Sequence, residues 1–165
     1  MRWRAPVGYG FSSPVVAKGR VYVTDALLDR PKVRGRVLCF EETTGKLLWT
    51  FSREKTCVVA FDRKSGTEIW RSLNETAGQA SPIIVQAGGR RQLIVWTTQS
   101  VSSLDPATGQ LFWREAFAAG NSSAVATPVF SNNRLLVSGL MLKLDGRKPS
   151  PQCSGPNRAW PREES

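Results

Sequence analysis

The 165-residue chain contains no histidine. That removes the commonest general base, the usual partner of a nucleophilic serine or cysteine, and the commonest metal-binding side chain. A Ser-His-Asp or Cys-His hydrolase and a His-ligated zinc enzyme are therefore excluded. Cysteine is scarce. Cys39, Cys57 and Cys153 are odd in number and widely spaced, so they form neither a disulfide framework nor a C-x-x-C metal motif and read as buried or inert thiols. No apolar run approaches the ~18 residues of a membrane helix. The start, M-R-W-R-A-P-V-G-Y-G, lacks the apolar stretch of a signal peptide, which leaves either a cytosolic chain or one whose true N-terminus is missing. Segments with 3.6-residue periodicity are absent as well, and short β-branched or aromatic runs dominate.

Acids are few: 13 Asp and Glu face 23 Lys and Arg, a net charge of +10. Such a balance raises nucleic acid or anionic lipid as a partner. The cations are scattered, however. Arg20, Arg36, Arg63, Arg71, Arg90, Arg114 and Arg134 sit beside turns or strand ends, and the densest knots, Arg90-Arg91 and Arg147-Lys148, are only pairs. With no basic helix and no aromatic-interleaved patch, solvated turn residues are the better reading.

What is present is a repeat. R-V-L-C-F-E-E-T-T-G-K-L-L-W (36–49), C-V-V-A-F-D-R-K-S-G-T-E-I-W (57–70) and S-V-S-S-L-D-P-A-T-G-Q-L-F-W (100–113) are three copies of one element. Counted from Gly45, Gly66 and Gly109, an acid stands four residues before (Glu41, Asp62, Asp105), a large apolar residue five before (Phe40, Phe61, Leu104) and a small residue six before (Cys39, Ala60, Ser103). A hydroxyl residue stands one before (Thr44, Ser65, Thr108), and tryptophan four after (Trp49, Trp70, Trp113). The element is a β-hairpin: an aspartate opening the turn can accept backbone N–H groups two or three residues on, and the glycine supplies the left-handed residue. Glu41, with its longer side chain, should close its turn less well. The small residue makes room for an indole ring, which offers a large area to bury.

A second element recurs at Ser13-Pro14-Val15-Val16, Ser81-Pro82-Ile83-Ile84 and Thr127-Pro128-Val129-Phe130. Proline is tolerated at the start of a strand. Each copy runs on through a turn into V-Y-V-T (21–24), L-I-V-W (93–96) or L-L-V-S (135–138). Two strands followed by the tryptophan hairpin give four antiparallel strands per unit, the composition of a propeller blade. The fold class is therefore all-β, with about twelve strands and about three blades' worth of four-stranded units over residues 1–145. Trp3-Arg4 reads as the tail of a blade's last strand. Residues 146–165, rich in Pro, Ser, Gly and Arg, read as a disordered tail. The repeat calls for a third strand and docking hairpin after Leu144-Asp145, and the residues there supply neither pattern.

The small-apolar-Asp-x-x-Thr-Gly-x-x-x-Trp pattern, carried by Cys39–Trp49, Ala60–Trp70 and Ser103–Trp113, resembles the tryptophan-docking motif of the pyrroloquinoline-quinone (PQQ)-like β-propeller repeats. The resemblance covers roughly residues 1–145. It implies that Glu41, Gly45, Trp49, Asp62, Gly66, Trp70, Asp105, Gly109 and Trp113 are structural docking residues. One branch of the family comprises quinoprotein alcohol and glucose dehydrogenases, with PQQ over a calcium ion and, in many members, a disulfide between adjacent cysteines. The other branch is non-catalytic and includes a propeller lipoprotein of the outer-membrane assembly machine. No two cysteines are adjacent here, and the acids fall mostly in turns or near the chain ends. The resemblance thus implies a non-catalytic scaffold without cofactor, meeting other proteins through loops and strand edges in a periplasmic or cell-envelope setting. The alternatives are a fragment of a PQQ- and calcium-dependent dehydrogenase and a basic surface for nucleic acid or anionic lipid.

The copies are unevenly spaced. Trp3 to Trp49 is 46 positions and Trp70 to Trp113 is 43, but Trp49 to Trp70 is only 21. No Ser/Thr-Pro opening lies between Trp49 and Cys57. The spacing predicts a blade that has lost its first two strands, in a chain that is an incomplete or internally deleted propeller whose remaining blades lie elsewhere. Lesser signals have plainer readings. Asn74-Glu75-Thr76 and Asn121-Ser122-Ser123 match the N-glycosylation pattern by chance, Gly8-Tyr9-Gly10 is a turn between blades, and Trp96 is buried between blades.

Overall fold

The computed structural model describes residues 2–10, 12–29, 32–53, 57–118, 124–145 and 149–151. Among them there is no helix, and fourteen strands are all antiparallel to their neighbours. They divide between two compact units, Met1–Asn74 and Glu75–Ser165.

In the first unit, β1 (Val15–Ala17), β2 (Arg20–Asp29), β3 (Lys32–Glu41) and β4 (Leu47–Arg53) form one four-stranded sheet in chain order. A separate two-stranded sheet follows, β5 (Val58–Phe61) with β6 (Glu68–Ser72). In the second unit, β7 (Ile83–Ala87), β8 (Arg90–Trp96), β9 (Ser100–Leu104) and β10 (Leu111–Ala116) form another four-stranded sheet. The last comprises β11 (Val129–Ser131), β12 (Arg134–Val137), β13 (Leu140–Lys143) and β14 (Ser150–Pro151). The short spacing of the second tryptophan hairpin thus corresponds to a sheet that holds only a third and a fourth strand.

Local chemistry explains the turns. Lys18-Gly19, Gly88-Gly89 and Asn132-Asn133 all have positive φ at both residues. That is the two-residue turn whose twist matches a right-twisted hairpin, and glycine and asparagine adopt it most readily. Each pairs the short strand after a proline with the next one: Val16 with Val21, Ile84 with Leu93, Phe130 with Leu135.

Five details depart from the sequence reading. β2 and β3 run far beyond Val21–Thr24, pairing as far as Asp29 with Lys32. The extension is pinned at Asp25, whose carboxylate accepts from Arg36 Nε at 2.8 Å and from the Gly8 N–H. Tyr9 bridges to Ala26 in both directions, so Gly8-Tyr9-Gly10 is a strap along the edge of β2 instead of a turn. The last sheet does have a third strand, β13, placed before Leu144-Asp145: Ser138, at a φ of 53°, reverses the chain directly after β12. Ser150 and Pro151, in the stretch read as tail, pair with Lys143 and Leu142 as β14, whereas 146–148 and 152–165 lie outside the described residues. Trp3-Arg4 lies outside the described strands.

The core of the second unit joins Val85, Ile94, Trp96, Val101, Trp113, Leu135, Val137 and Leu142 from both its sheets. The first unit has a smaller core of Val21, Leu38 and Phe40, with Trp3, Ala5 and Val23 packed against it.

Asp25 sets a pH dependence. The Arg36 hydrogen bond holds its carboxyl below the ordinary range, with burial opposing and the Gly8 N–H adding to the lowering. A depressed carboxyl contributes stability above its unfolded pKa of about 3.9, lost as pH falls through the lower folded value. Asp25→Asn is expected to cost about 2 kcal/mol at pH 7. Urea titrations should show the gap from the unsubstituted chain closing on acidification below about pH 4.

Candidate functional site: the tryptophan-docking hairpins

The three hairpin turns share one backbone geometry. The Glu41, Asp62 and Asp105 carbonyls accept from the Gly45, Gly66 and Gly109 N–H groups at 2.9, 2.8 and 2.8 Å. Their own N–H groups donate to Lys46, Thr67 and Gln110 carbonyls at 2.9, 2.8 and 2.8 Å. The glycines have φ of 72°, 75° and 75°, a left-handed conformation that costs any other residue steric strain.

The acids close these turns to different degrees. Asp62 Oδ1 accepts from the Lys64 and Ser65 N–H groups at 2.9 and 2.8 Å, and from the Ser65 hydroxyl. The Ser65 N–H, then its hydroxyl, hold the Asp62 carboxyl below the ordinary range. Asp105 Oδ1 accepts from the Ala107 N–H at 2.8 Å. Glu41 instead takes the Thr44 hydroxyl, and no backbone N–H reaches its carboxylate among the described residues. Glu41→Asp is therefore expected to stabilise the first unit by about 0.5 kcal/mol, read as a higher urea midpoint with an unchanged slope.

After each glycine the fourth strand carries a bulge. Cys39 pairs with Trp49 but Phe40 with Leu47; Ala60 pairs with Trp70 but Phe61 with Glu68; Ser103 pairs with Trp113 but Leu104 with Leu111. Leu48, Ile69 and Phe112 are the extra residues. A bulge bends its strand and re-aims the next side chain, here the tryptophan.

The aim is visible in the first unit. A Cβ on Gly66 would lie 2.6 Å from Cδ2 of Trp49, and one on Gly45 would lie 2.5 Å from Cδ2 of Trp3. Each indole thus lies flat on the glycine of the following hairpin. Trp3 Nε1 donates to the Glu42 carbonyl at 2.8 Å and Trp49 Nε1 to the Arg63 carbonyl at 3.4 Å. Trp49 also meets Tyr22 and Phe61, with ring centres 6.0 and 6.2 Å away. Trp70 is half-buried on β6. Trp113 is buried and turns inward: its Nε1 donates to Gln92 Oε1 at 2.9 Å, and the Ser103 hydroxyl donates to the same oxygen at 2.7 Å. Gln92 Nε2 donates to the Ala87 carbonyl at 2.9 Å, so both ends of this buried amide are engaged.

A second polar cluster escaped the sequence reading. Glu75, read there as the middle of a glycosylation pattern, has a side chain only 4% exposed. It accepts from the Thr97 and Ser100 hydroxyls and pairs with Arg114. Nothing in N-E-T marks it, because its partners lie 22 or more residues on. Asn121-Ser122-Ser123 falls outside the described residues. Trp96 is 6% exposed, with its ring centre 5.8 Å from that of Phe117.

Among the described residues, no group of three His, Cys, Asp or Glu side chains is placed to hold a metal ion. Cys39 is buried in β3, where burial pushes its thiol pKa up, and Cys57 is half-buried.

The repeats and their docking geometry agree with the similarities to known proteins. Residues 54–148 match the model of a protein family described as outer membrane protein assembly factor BamB. No curated protein matches the chain. Among solved structures, BamB from Moraxella catarrhalis matches with a TM-score of 0.53 and 16% sequence identity, over 75% of this chain and 45% of that one. The chain thus spans less than half of that protein's length, and a likeness at this identity speaks for the fold.

Proposed function

The chain belongs to the family of the outer membrane protein assembly factor BamB, and from that premise we propose that it is a non-catalytic, cofactor-free PQQ-like propeller scaffold of the bacterial cell envelope. The observation that carries the reading is the family match across 54–148, which spans the second and third docking hairpins. The chemistry agrees with it. Side chains at and beside the hairpins do internal work: Asp62 and Asp105 cap their turns, Trp3 and Trp49 cover glycines, and Gln92 and Glu75 satisfy buried donors. What the chain has to offer a partner is backbone at strand edges and loops, together with exposed apolar side chains such as Val15, Val16, Ile69 and Leu111. On this reading its role is to hold other proteins in place during outer-membrane protein assembly.

The test is site-specific crosslinking in a bacterial envelope, with a photoreactive residue in turn at Val16, Ile69 and Leu111. Crosslinks to components of the outer-membrane protein assembly machinery at one or more positions are expected. Reconstitution with PQQ and calcium should give no dye reduction with alcohols or sugars. Dye reduction, or crosslinks confined to other partners, would overturn the reading.

A further inference from the structure

Among the described residues, the β5–β6 sheet holds two strands where the other sheets hold four, and the surroundings of its strands differ accordingly. In the two sheets with all four strands around a docking hairpin, the third strand is enclosed. Cys39 and Phe40 are 0% and 5% exposed, and Ser103 and Leu104 are both 0%. The equivalent residues of β5, Ala60 and Phe61, are only half-buried, as are Val58 and Val59. β5 pairs with β6 on one side, and among the described residues no strand pairs with its other edge. An open edge presents a row of unpaired backbone groups, and a lone two-stranded hairpin is marginal by itself.

The complete sheets also define what would fit. In both, the second strand meets the third in one register relative to the docking motif. Val21 faces Phe40 and Tyr22 faces Cys39; Leu93 faces Leu104 and Ile94 faces Ser103. The first strand then sets Val16 against Val21 and Ile84 against Leu93. Each such pair begins after a Ser-Pro and turns on two residues of positive φ, Lys18-Gly19 or Gly88-Gly89.

We infer that the open edge of β5 is a binding site for a β-hairpin of this same type, supplied by a second polypeptide. The ligand is a Ser/Thr-Pro-led pair of apolar strands, joined by a two-residue turn of glycine or asparagine, that adds as the two absent inner strands. Its second strand runs antiparallel to β5, with apolar residues opposite Phe61 and Ala60. Main-chain hydrogen bonds supply affinity and the side-chain pockets supply selectivity, as in other strand-addition complexes. The site requires only the blade repeat and is independent of the envelope role.

The probe is a synthetic peptide with the sequence of residues 80–97, A-S-P-I-I-V-Q-A-G-G-R-R-Q-L-I-V-W-T, added to the full chain. Its control carries proline at the positions of Leu93 and Val95, which cannot join a ladder. The same eighteen-residue sequence is also inserted ahead of Cys57, to complete the sheet within the chain. Three results are expected. The peptide raises the melting midpoint by about 5 °C or more at saturation, and the control does not. The insertion raises the midpoint without peptide. The completed chain no longer binds the peptide. Equal binding to both chains, no binding to the unmodified chain, or an insertion that leaves the midpoint unchanged would overturn the inference. So would a dimer of the unmodified chain that the insertion abolishes and the peptide cannot disperse, since a second copy would then be the occupant.

Discussion

Gly66→Ala is expected to destabilise the first unit by about 3 kcal/mol, while Gly19→Ala costs only about 1 kcal/mol. The two glycines have nearly the same backbone, with φ of 75° and 76°. Both substitutions force an L-residue into the left-handed region at a cost of about 1–2 kcal/mol. They differ in what the new methyl meets. At Gly19 nothing lies within 4 Å, whereas at Gly66 three atoms of the Trp49 indole lie within 2.6–2.9 Å. The ring must lift, and overpacking of this kind adds about 1–3 kcal/mol. Lifting the ring also breaks the Trp49 bond to the Arg63 carbonyl and separates it from Phe61. The measurement is urea unfolding of both variants followed by tryptophan fluorescence. Equal losses at the two sites would mean that the indole does not need the bare glycine. A change in native-state emission confined to Gly66→Ala would place the displaced ring directly.

This pair of glycines shows how far the sequence could be read. The position of Gly66 in a repeated pattern marked it as special, and the repeat named the tryptophan that shares its hairpin, Trp70. The ring that covers it belongs to the preceding copy, Trp49, and only the fold brings the two together. The bulged residues Leu48, Ile69 and Phe112 were hidden for a related reason. A bulge here is a backbone event two residues after the glycine's neighbour, and an aliphatic or aromatic side chain there looks like any other strand residue. The prolines and the early second tryptophan were legible because they are covalent or arithmetical facts. The length of β2 and β3 was not, since a strand's end depends on what lies beside it: Tyr9 and Arg36 extend this hairpin from the edge and from across the ladder. Glu75 and Gln92 were missed because a polar residue in a loop or an apolar run carries no mark of the partners that satisfy it.

Gln92 leads to the second large effect. In R-R-Q-L-I-V-W a leucine in its place would improve the apolar pattern, yet Gln92→Leu is expected to cost the second unit about 4 kcal/mol. Gln92 is 1% exposed, and its Oε1 is the acceptor for both the Trp113 indole N–H and the Ser103 hydroxyl. Leucine fills similar space but leaves both donors without that acceptor, at about 1–3 kcal/mol each. It also withdraws the amide bond to the Ala87 carbonyl. Gln92→Glu separates shape from chemistry. A protonated glutamic acid has the same outline, can accept through one oxygen and can donate to Ala87 through the other. Burial disfavours its ionised form and raises its folded pKa above the unfolded value of about 4.3. Over the interval between the two values the folded state binds more protons than the unfolded one, so stability falls as pH rises. Relative to the unsubstituted chain, Gln92→Glu should therefore be nearly neutral below about pH 4 and progressively weaker above it, with Gln92→Leu equally weak throughout. If both variants track the unsubstituted chain at every pH, the indole of Trp113 is held by packing alone, and the amide at the centre of that sheet is dispensable.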